Sequence, residues 1–457
     1  MQKKIKPSKK QKVSIAQAWP LMNLHAAGVD LGSREHWVAV PAERDPQPVR
    51  SFGTFTADLA ALANWLKACG ITSVAMEATG VYWIPLFQLL ERRGFAVLLV
   101  NARQIKNVSG RKSDILDCQW IQRLHAYGLL GGSFRPADAY CVVRSYLRYR
   151  DELVRARSTQ TQHMQKALQQ MNLPLAQVLA DVNGVSGLAI IGAMLKGERN
   201  PLVLAALADR RVKASPSQIA KALVGDYRAE HLFVLQIAFE LYHTYETKIA
   251  ACDEALAREL ATLPDRVAVP AQPLPAKTGK KNLDENLRQG LYRKLGVDLT
   301  AIEGFGALVG LTVLTEVGPD LSRFKTEKHF TSWLGLCPDN RISGGKVLSC
   351  RTRRVVNRLS DVLRLAATTL ERSQSALGAY YRRMKAKLGA AEGVTATAHK
   401  LARILYRLLK HGEAYVRQGL ADYEKKHRER KLKGLQKAAA VIGFQLIQKE
   451  KIVGVVS

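Results

Sequence analysis

The sequence predicts an α/β N-terminal domain followed by a mostly helical remainder, on three observations. Between Ala26 and Phe134, short apolar runs bounded by turn residues alternate with segments of helical period. From Ala137 to Met171 the chain is polar and charged with neither Gly nor Pro, as a single long helix requires. The composition, 47% hydrophobic and 24% charged over 457 residues, is that of a globular chain and allows about three domains.

The elements follow in order. Residues 1–22 are a basic, flexible arm whose first dozen positions hold six Lys. AAGVDLG and HWVAVPA read as paired strands and SFGTFT as a third. DLAALANWLKACG has helical period, with Asp58 near its start and Gly70 at its end. A strand TSVAME, a helix YWIPLFQLLERRG, a strand FAVLLV and a helix SDILDCQWIQRLHAYG complete the series. Three strands followed by alternating helices and strands is the ribonuclease-H-like arrangement, an antiparallel start joined to parallel crossovers, and it occupies residues 23–136.

Residues 137–262 read as a helical or coiled-coil middle. Counting heptads from Val143 gives Val143, Leu147, Arg150, Val154, Arg157, Thr161, Met164, Leu168 and Met171. This imperfect seam suits a helical hairpin or a partly polar coiled coil. Residues 263–282 carry four Pro and several Lys without a periodic face and form a linker. Residues 283–420 form a second, mostly helical domain, and 421–457 a basic tail containing EKKHRERKLKG.

Lys and Arg number 69 against 39 Asp and Glu, a formal charge of +30. Such an excess repels itself unless a polyanion neutralises it, so nucleic acid is the expected partner and small-molecule metabolism is disfavoured. No run of 18 apolar residues exists and no apolar stretch follows the N-terminal lysines, so neither a membrane span nor secretion is expected, and the chain is placed in the cytoplasm with nucleic acid. The six Cys are dispersed with no C-x-x-C, which fits reduced thiols, and without an H-x-x-x-H pair zinc is not expected.

Four carboxylates of the first domain carry the candidate chemistry. Asp30 lies inside the first apolar strand, Glu77 ends TSVAME, and Asp114 and Asp117 lie three apart on one face of the last helix. In the ribonuclease-H topology the first strand is central, the Glu77 strand lies beside it, and the last helix packs across their ends. The four acids then converge on a site for divalent cations that prefer oxygen, Mg2+ or Mn2+, two of which can clamp the attacking and leaving oxygens of a phosphodiester. Taken singly, Asp30 is also a turn residue, Glu77 a solvated strand-end acid and Asp114 a helix cap.

The segments GVDLGSREHWVAV, MEATGVYW, NARQIKNVSGRKSDILDCQW and IEGFGALVGLTVLTEVGPDLSRFKTEKHFTSWLGLCPDNRISGGK resemble the DEDD transposases of insertion sequences, the bridge-RNA-guided recombinases, over residues 26 to about 415. The resemblance implies a RuvC-like domain in which Asp30, Glu77, Asp114 and Asp117 are the metal-binding acids. It also implies a C-terminal transposase domain in which Ser343 is the nucleophile. It further implies DNA as substrate, a structured bridge RNA as guide, assembly from dimer to tetramer, and active sites combining acids of one protomer with the serine of another.

Beside the resemblance, Ser343 sits between Asn340-Arg341 and Gly344-Gly345-Lys346, where a phosphate can approach the backbone between cations. The same residues also make a Ser-Gly-Gly turn, and Ser349 and Ser332 are open alternatives. LTAIEGFGALVGLTVLTEVG reads as helix, Gly304-Phe-Gly306, helix: either a helix-hairpin-helix presenting backbone N–H groups to a phosphate or a plain helical corner. Arg341, Lys346, Arg351, Arg353, Arg354 and Arg358 run without an acid until Asp361, and Arg103, Lys106, Arg111 and Lys112 flank the acid helix, both sets suiting backbone phosphates. Tyr82, Trp83 and Trp120 are expected to pack the core. The competing readings are a metal-dependent junction resolvase, which would leave Ser343 unexplained, a non-catalytic nucleic-acid scaffold with decayed acids, and an actin-like ATPase or kinase. The last is suggested by GVDLGS but has only GVDLTAIEG at 296–304 as a second phosphate loop.

Overall fold

The computed structural model describes residues 20–78, 80–101, 105, 114–268, 274, 285–353 and 355–445, with backbone alone for 415–420. The chain divides into two compact units, Met1–Phe134 and Arg135–Ser457.

In the first unit the strands β1 (Ala26–Leu31), β2 (Glu35–Ala39) and β3 (Val49–Gly53) lead into helix α1 (Thr56–Ala68). Strand β4 (Ser73–Glu77), helix α2 (Trp83–Arg92), strand β5 (Ala96–Val100) and helix α3 (Asp114–Ala126) follow. The sheet order is β3-β2-β1-β4-β5. β1, β2 and β3 pair antiparallel, whereas β1, β4 and β5 pair parallel. This is the order and sense expected from the sequence, except that β3 begins two residues before SFGTFT.

The two faces of this sheet bury different things because side chains alternate along each strand. Ala27, Val29 and Leu31 of β1 and Val74 and Met76 of β4 enter a core with Leu62 and Leu66 of α1 and Leu86 and Leu90 of α2. On the other face Ala75 packs with Val100 and Ile121 of α3. Gly28 sets how closely α3 approaches. A Cβ there would stand 2.2 Å from the Gln122 backbone nitrogen and 2.5 Å from the Cys118 carbonyl oxygen, so only glycine lets the helix backbone cross β1. Asp30 and Glu77 are each two residues beyond a position packed on α3, so they share its face. Of the aromatic trio, Trp83 packs against the core with Phe87, and Trp120 joins the α3 cluster. Tyr82 is 45% exposed, a correction explained by its place just before α2, outside the helix's buried face.

The second unit opens with α4 (Asp138–Gln170), the long helix expected over 137–171. Short helices α5 (Leu175–Val178), α6 (Val185–Leu195), α7 (Pro201–Ala206) and α8 (Pro216–Ala222) follow, and α9 (Ala229–Thr262) returns along α4. The polar seam positions have partners on α9: Arg150 pairs with Asp253, and Arg157 lies 3.6 Å from Glu246. That register is antiparallel, the helical hairpin of the two structures the seam allowed. Met164, Leu168, Ile190, Leu204, Ile219 and Leu235 share one core, so the short helices cap the hairpin's end.

Beyond residue 284 come α10 (Glu285–Leu295), a 3₁₀ turn at Leu299–Ala301, α11 (Ala307–Glu316) and α12 (Glu327–Trp333). A two-stranded hairpin, β6 (Arg341–Ser343) and β7 (Lys346–Ser349), precedes α13 (Arg358–Thr369), a second 3₁₀ turn (Leu370–Arg372), α14 (Ala376–Leu388) and α15 (Ala390–Val441). Phe324, Phe330 and Trp333 pack together, Phe330 stacked on Trp333 and edge-to-face with Phe324, with Tyr406 of α15 against Phe330.

One expectation needs correction here. The segment before Gly304-Phe-Gly306 is a single 3₁₀ turn, so the structure holds a turn-loop-helix; Asp298 starts the turn by accepting from the Thr300 N–H, and three residues are too few for an α-helix. The basic run after 420 is helical, continuing α15 past a kink at Gly412 (φ 81°). There Glu424 accepts from the Ala376 N–H at 2.7 Å and Tyr423 lies under the Lys400 ammonium at 3.4 Å. The arm before residue 20, most of the linker and residues 446–457 lie outside the described residues. Among the described residues no helix is long and apolar enough to cross a membrane.

Candidate active site

β1 delivers Asp30, the end of β4 delivers Glu77, and the first turn of α3 delivers Asp114 and Asp117. The electrostatics at Asp30 record their proximity. Its pKa is pushed up to about 6 by burial first, then by the charges of Asp114, Asp117 and Glu77, against a lowering hydrogen bond from the Leu31 backbone. Among the described residues no Lys or Arg forms an ion pair with Asp30. Arg34 lines the same cleft. Cys118, buried one turn behind the acids, is pushed up to about 12 by burial and by Asp30, so it is an inert thiol.

The cleft is open, about 270 Å3, and is lined by Asp30, Gly32, Ser33, Arg34, Trp37 and Asp114. Trp37 stands opposite Asp30 in the β1–β2 register, and its indole N–H is buried without a hydrogen-bond partner among the described residues. Gly32 makes the turn between the strands: its N–H donates to the Glu35 carbonyl at 3.0 Å, and a Cβ would lie 2.6 Å from that oxygen. Asp30 and Asp114 face this open cleft, and carboxylates so placed are a donor set for hard, oxygen-preferring cations. Among the described residues, however, no three acids, His or Cys are drawn in closely enough to hold an ion. Sequence reasoning overlooked Gly28 and Trp37; a glycine inside an apolar strand was the available signal for the first.

In the second unit Ser343 ends β6 and pairs with Lys346 across the turn of the hairpin. Gly344 and Gly345 have φ of +53° and +74°, the two positive values that a tight two-residue hairpin turn demands. The hairpin is exposed from Arg341 to Leu348, which presents the Ser343 hydroxyl beside Arg341 and Lys346. Ser349 closes the other strand, and its hydroxyl accepts from the Arg351 N–H at 3.3 Å. Ser332 lies on α12, its hydroxyl and carbonyl accepting from the Arg353 guanidinium at 3.0 and 2.7 Å.

The basic run is thus divided in use. Arg341, Lys346 and Arg351 are exposed, whereas Arg353 is tied to Ser332 and Arg358 donates to Asp151 of α4 at 2.8 Å. Gly304 has φ +87° and Gly306 precedes α11, whose first turn holds no acid. Arg103, Lys106, Arg111, Lys112 and Arg354 lie outside the described residues. The GVDLTAIEG echo of a phosphate loop spans no strand, and its Asp298 is buried against Arg288 at 2.6 Å, a structural ion pair.

Comparison with known proteins places these elements. Residues 27–173 match the DEDD transposase family DEDD_Tnp_IS110, and residues 298–382 match the Transposase IS116/IS110/IS902 family. The chain carries IS110-family transposase domains. The first IS110 match contains all four acids and runs on into the long helix α4; the second contains Gly304, Gly306 and the Ser343 hairpin. A Sinorhizobium fredii protein designated transposase y4pF/y4sB is 35% identical over 147 residues, 30% of this chain and 36% of that protein. The chain thus spans about a third of the length of that curated relative.

Proposed function

We propose that this protein is the transposase of an IS110-type insertion sequence, cleaving and rejoining DNA strands through a Ser343–DNA intermediate under the guidance of a structured RNA. What supports the reading above all is the mutual electrostatic pressure of four acids at one end of the five-stranded mixed sheet, together with the two IS110-family matches.

Asp30, Glu77, Asp114 and Asp117 would hold Mg2+ or Mn2+, which supplies charge neutralisation for a phosphodiester. The chain's own residues do the rest. Arg341 and Lys346 hold the phosphate beside the Ser343 hydroxyl, and the Gly344-Gly345 turn leaves the backbone open to it. The serine oxygen forms a bond to phosphorus as the bond to a deoxyribose oxygen breaks, and the serine proton ends on that leaving hydroxyl. One phosphoester replaces another, so the reverse step with a new hydroxyl rejoins strands without ATP. The excess of cations serves DNA and RNA backbone together, and the working form is a dimer to tetramer.

Strand cleavage of a plasmid carrying the element's ends tests the metal part of this reading. Asp114→Asn is expected to abolish Mg2+-dependent cleavage while nucleic-acid binding stays within about twofold, since only one of several charges changes. Cleavage at the wild-type rate would contradict the four-acid assignment.

A further inference from the structure

Past the kink at Gly412, α15 ends in a helical stretch whose charge the chain does not neutralise. From Lys425 to Lys437 run seven Lys and Arg against one acid, Glu429. All seven cations are exposed, and among the described residues none of them forms an ion pair. The stretch is nevertheless held at its start. Glu424 accepts from the Ala376 N–H at the beginning of α14 at 2.7 Å, and the Lys400 ammonium stands 3.4 Å from the Tyr423 ring and 4.4 Å from the Tyr380 ring. An anchored helix with unneutralised cations is a docking surface for a polyanion, whereas a merely solvated helix face mixes its signs.

The distribution of the cations round the axis says which polyanion. At about 100° per residue, Lys426, Arg430, Lys433 and Lys437 fall on one stripe about 60° wide and about 16 Å long. Arg428 and Lys431 fall about 160° away, on the opposite flank. Between the flanks, one side of the helix carries His427, Gly434 and Ala438, and the other carries Glu429 with Lys425 and Gln436. Cations on both flanks, short side chains between them and the acid turned away suit a helix lying between two walls of phosphate. The major groove of B-form DNA, about 12 Å wide, admits a helix in this way, and the deep, narrow major groove of A-form RNA does not. Arg428 also falls between Leu432 and Leu435, so the apolar residues make no face for a lipid surface.

We infer that residues 425–437 of α15 are a DNA-docking helix, seated in the major groove of a duplex and holding it by the phosphates on both sides. This role rests on the assignment of the excess cations to nucleic acid made above, narrowed here to duplex DNA. It uses neither the four acids nor Ser343, so its failure would leave their chemistry standing.

Fluorescence anisotropy of a labelled DNA duplex of arbitrary sequence, titrated over a salt series with the full-length chain freed of its own nucleic acid, tests it. Lys426→Gln, Arg430→Gln, Lys433→Gln and Lys437→Gln combined should lower the slope of log Kd against log salt by about 3 to 4, since one phosphate contact is lost with each cation. Gln matches Lys and Arg in helix propensity, so helical circular dichroism should not change. On an A-form RNA duplex of the same sequence the slope should change by less than about 1. Gly434→Phe keeps every charge and should weaken DNA binding by about tenfold or more, because the ring holds the helix off the groove floor, while RNA-duplex binding stays at the wild-type level. A wild-type slope in the fourfold variant, an equal drop on the RNA duplex, or wild-type DNA affinity in Gly434→Phe would each overturn the docking helix.

Discussion

Asp30 is held at the centre of its sheet by neighbours that make its charge expensive. A carboxyl whose pKa is raised to about 6 in the folded state binds its proton there more tightly than in the unfolded chain, where it titrates near 3.9. Its ionisation therefore costs stability progressively from about pH 4 to pH 6, and the full cost stands above pH 6. Thermal melts in EDTA should show Asp30→Asn more stable than wild type at pH 7.5, with the gap closing by pH 4. Added Mg2+ should raise the wild-type melting temperature and leave the variant's nearly unmoved. A gap that persists at pH 4 would mean that charge is not its cause. Gly28 works by geometry instead. Gly28→Ala places a methyl group inside contact distance of α3 backbone that cannot swing away, and a loss of about 2 kcal/mol or more in urea unfolding is expected. The place of Asp30 inside a strand was legible from the apolar run around it. Trp37 was not, since its partner across the strands emerges only from register.

At the scale of elements, whatever had a long period could be read from the sequence, and whatever was short or held by distant partners could not. α1 and α4 show helical spacing over many residues, and β1, β4 and β5 stand out as apolar runs bounded by turn residues. The Ser-Gly-Gly turn at Ser343 was legible as one alternative, but the strands on either side of it were not, because each is only three or four residues long. The turn at Leu299–Ala301 has apolar spacing but ends after three residues. Arg358 reads as a free cation until Asp151, 207 residues away, is placed beside it. The junction of α4 and α11 shows the same dependence: Glu316 accepts from Arg148 at 2.8 and 2.9 Å and lies 3.8 Å from Arg144, whose own pKa is lowered by burial. Glu316→Ala should leave two guanidinium groups crowded at a largely buried site. It should destabilise the second unit by about 1–3 kcal/mol, less than for a fully buried pair because Arg148 is well exposed. A chemical-denaturation midpoint equal to wild type would show that these pairs contribute nothing net.

Over the whole molecule the charge of +30 governs what the protein meets. A discrete RNA should co-purify at low salt, and its affinity should fall about tenfold or more between roughly 50 and 200 mM salt if several phosphates are neutralised. Sequencing that RNA would identify the guide, and a preparation free of RNA at low salt would contradict the guidance. Charge does not distinguish a recombinase from a nuclease, however; only the fate of the broken phosphoester does. If the Ser343 oxygen takes the phosphorus, the bond survives as a protein–DNA ester, whereas attack by water releases it irreversibly. A DNA substrate nicked near the crossover lets the leaving strand diffuse away and traps the ester. Wild type should then give a covalent protein–DNA adduct that persists in denaturing electrophoresis. Ser343→Ala should lose adduct and recombinants together while still binding DNA and RNA. Free hydrolysed ends with no adduct, or an adduct that persists in Ser343→Ala and vanishes in Ser349→Ala, would contradict Ser343 as the nucleophile.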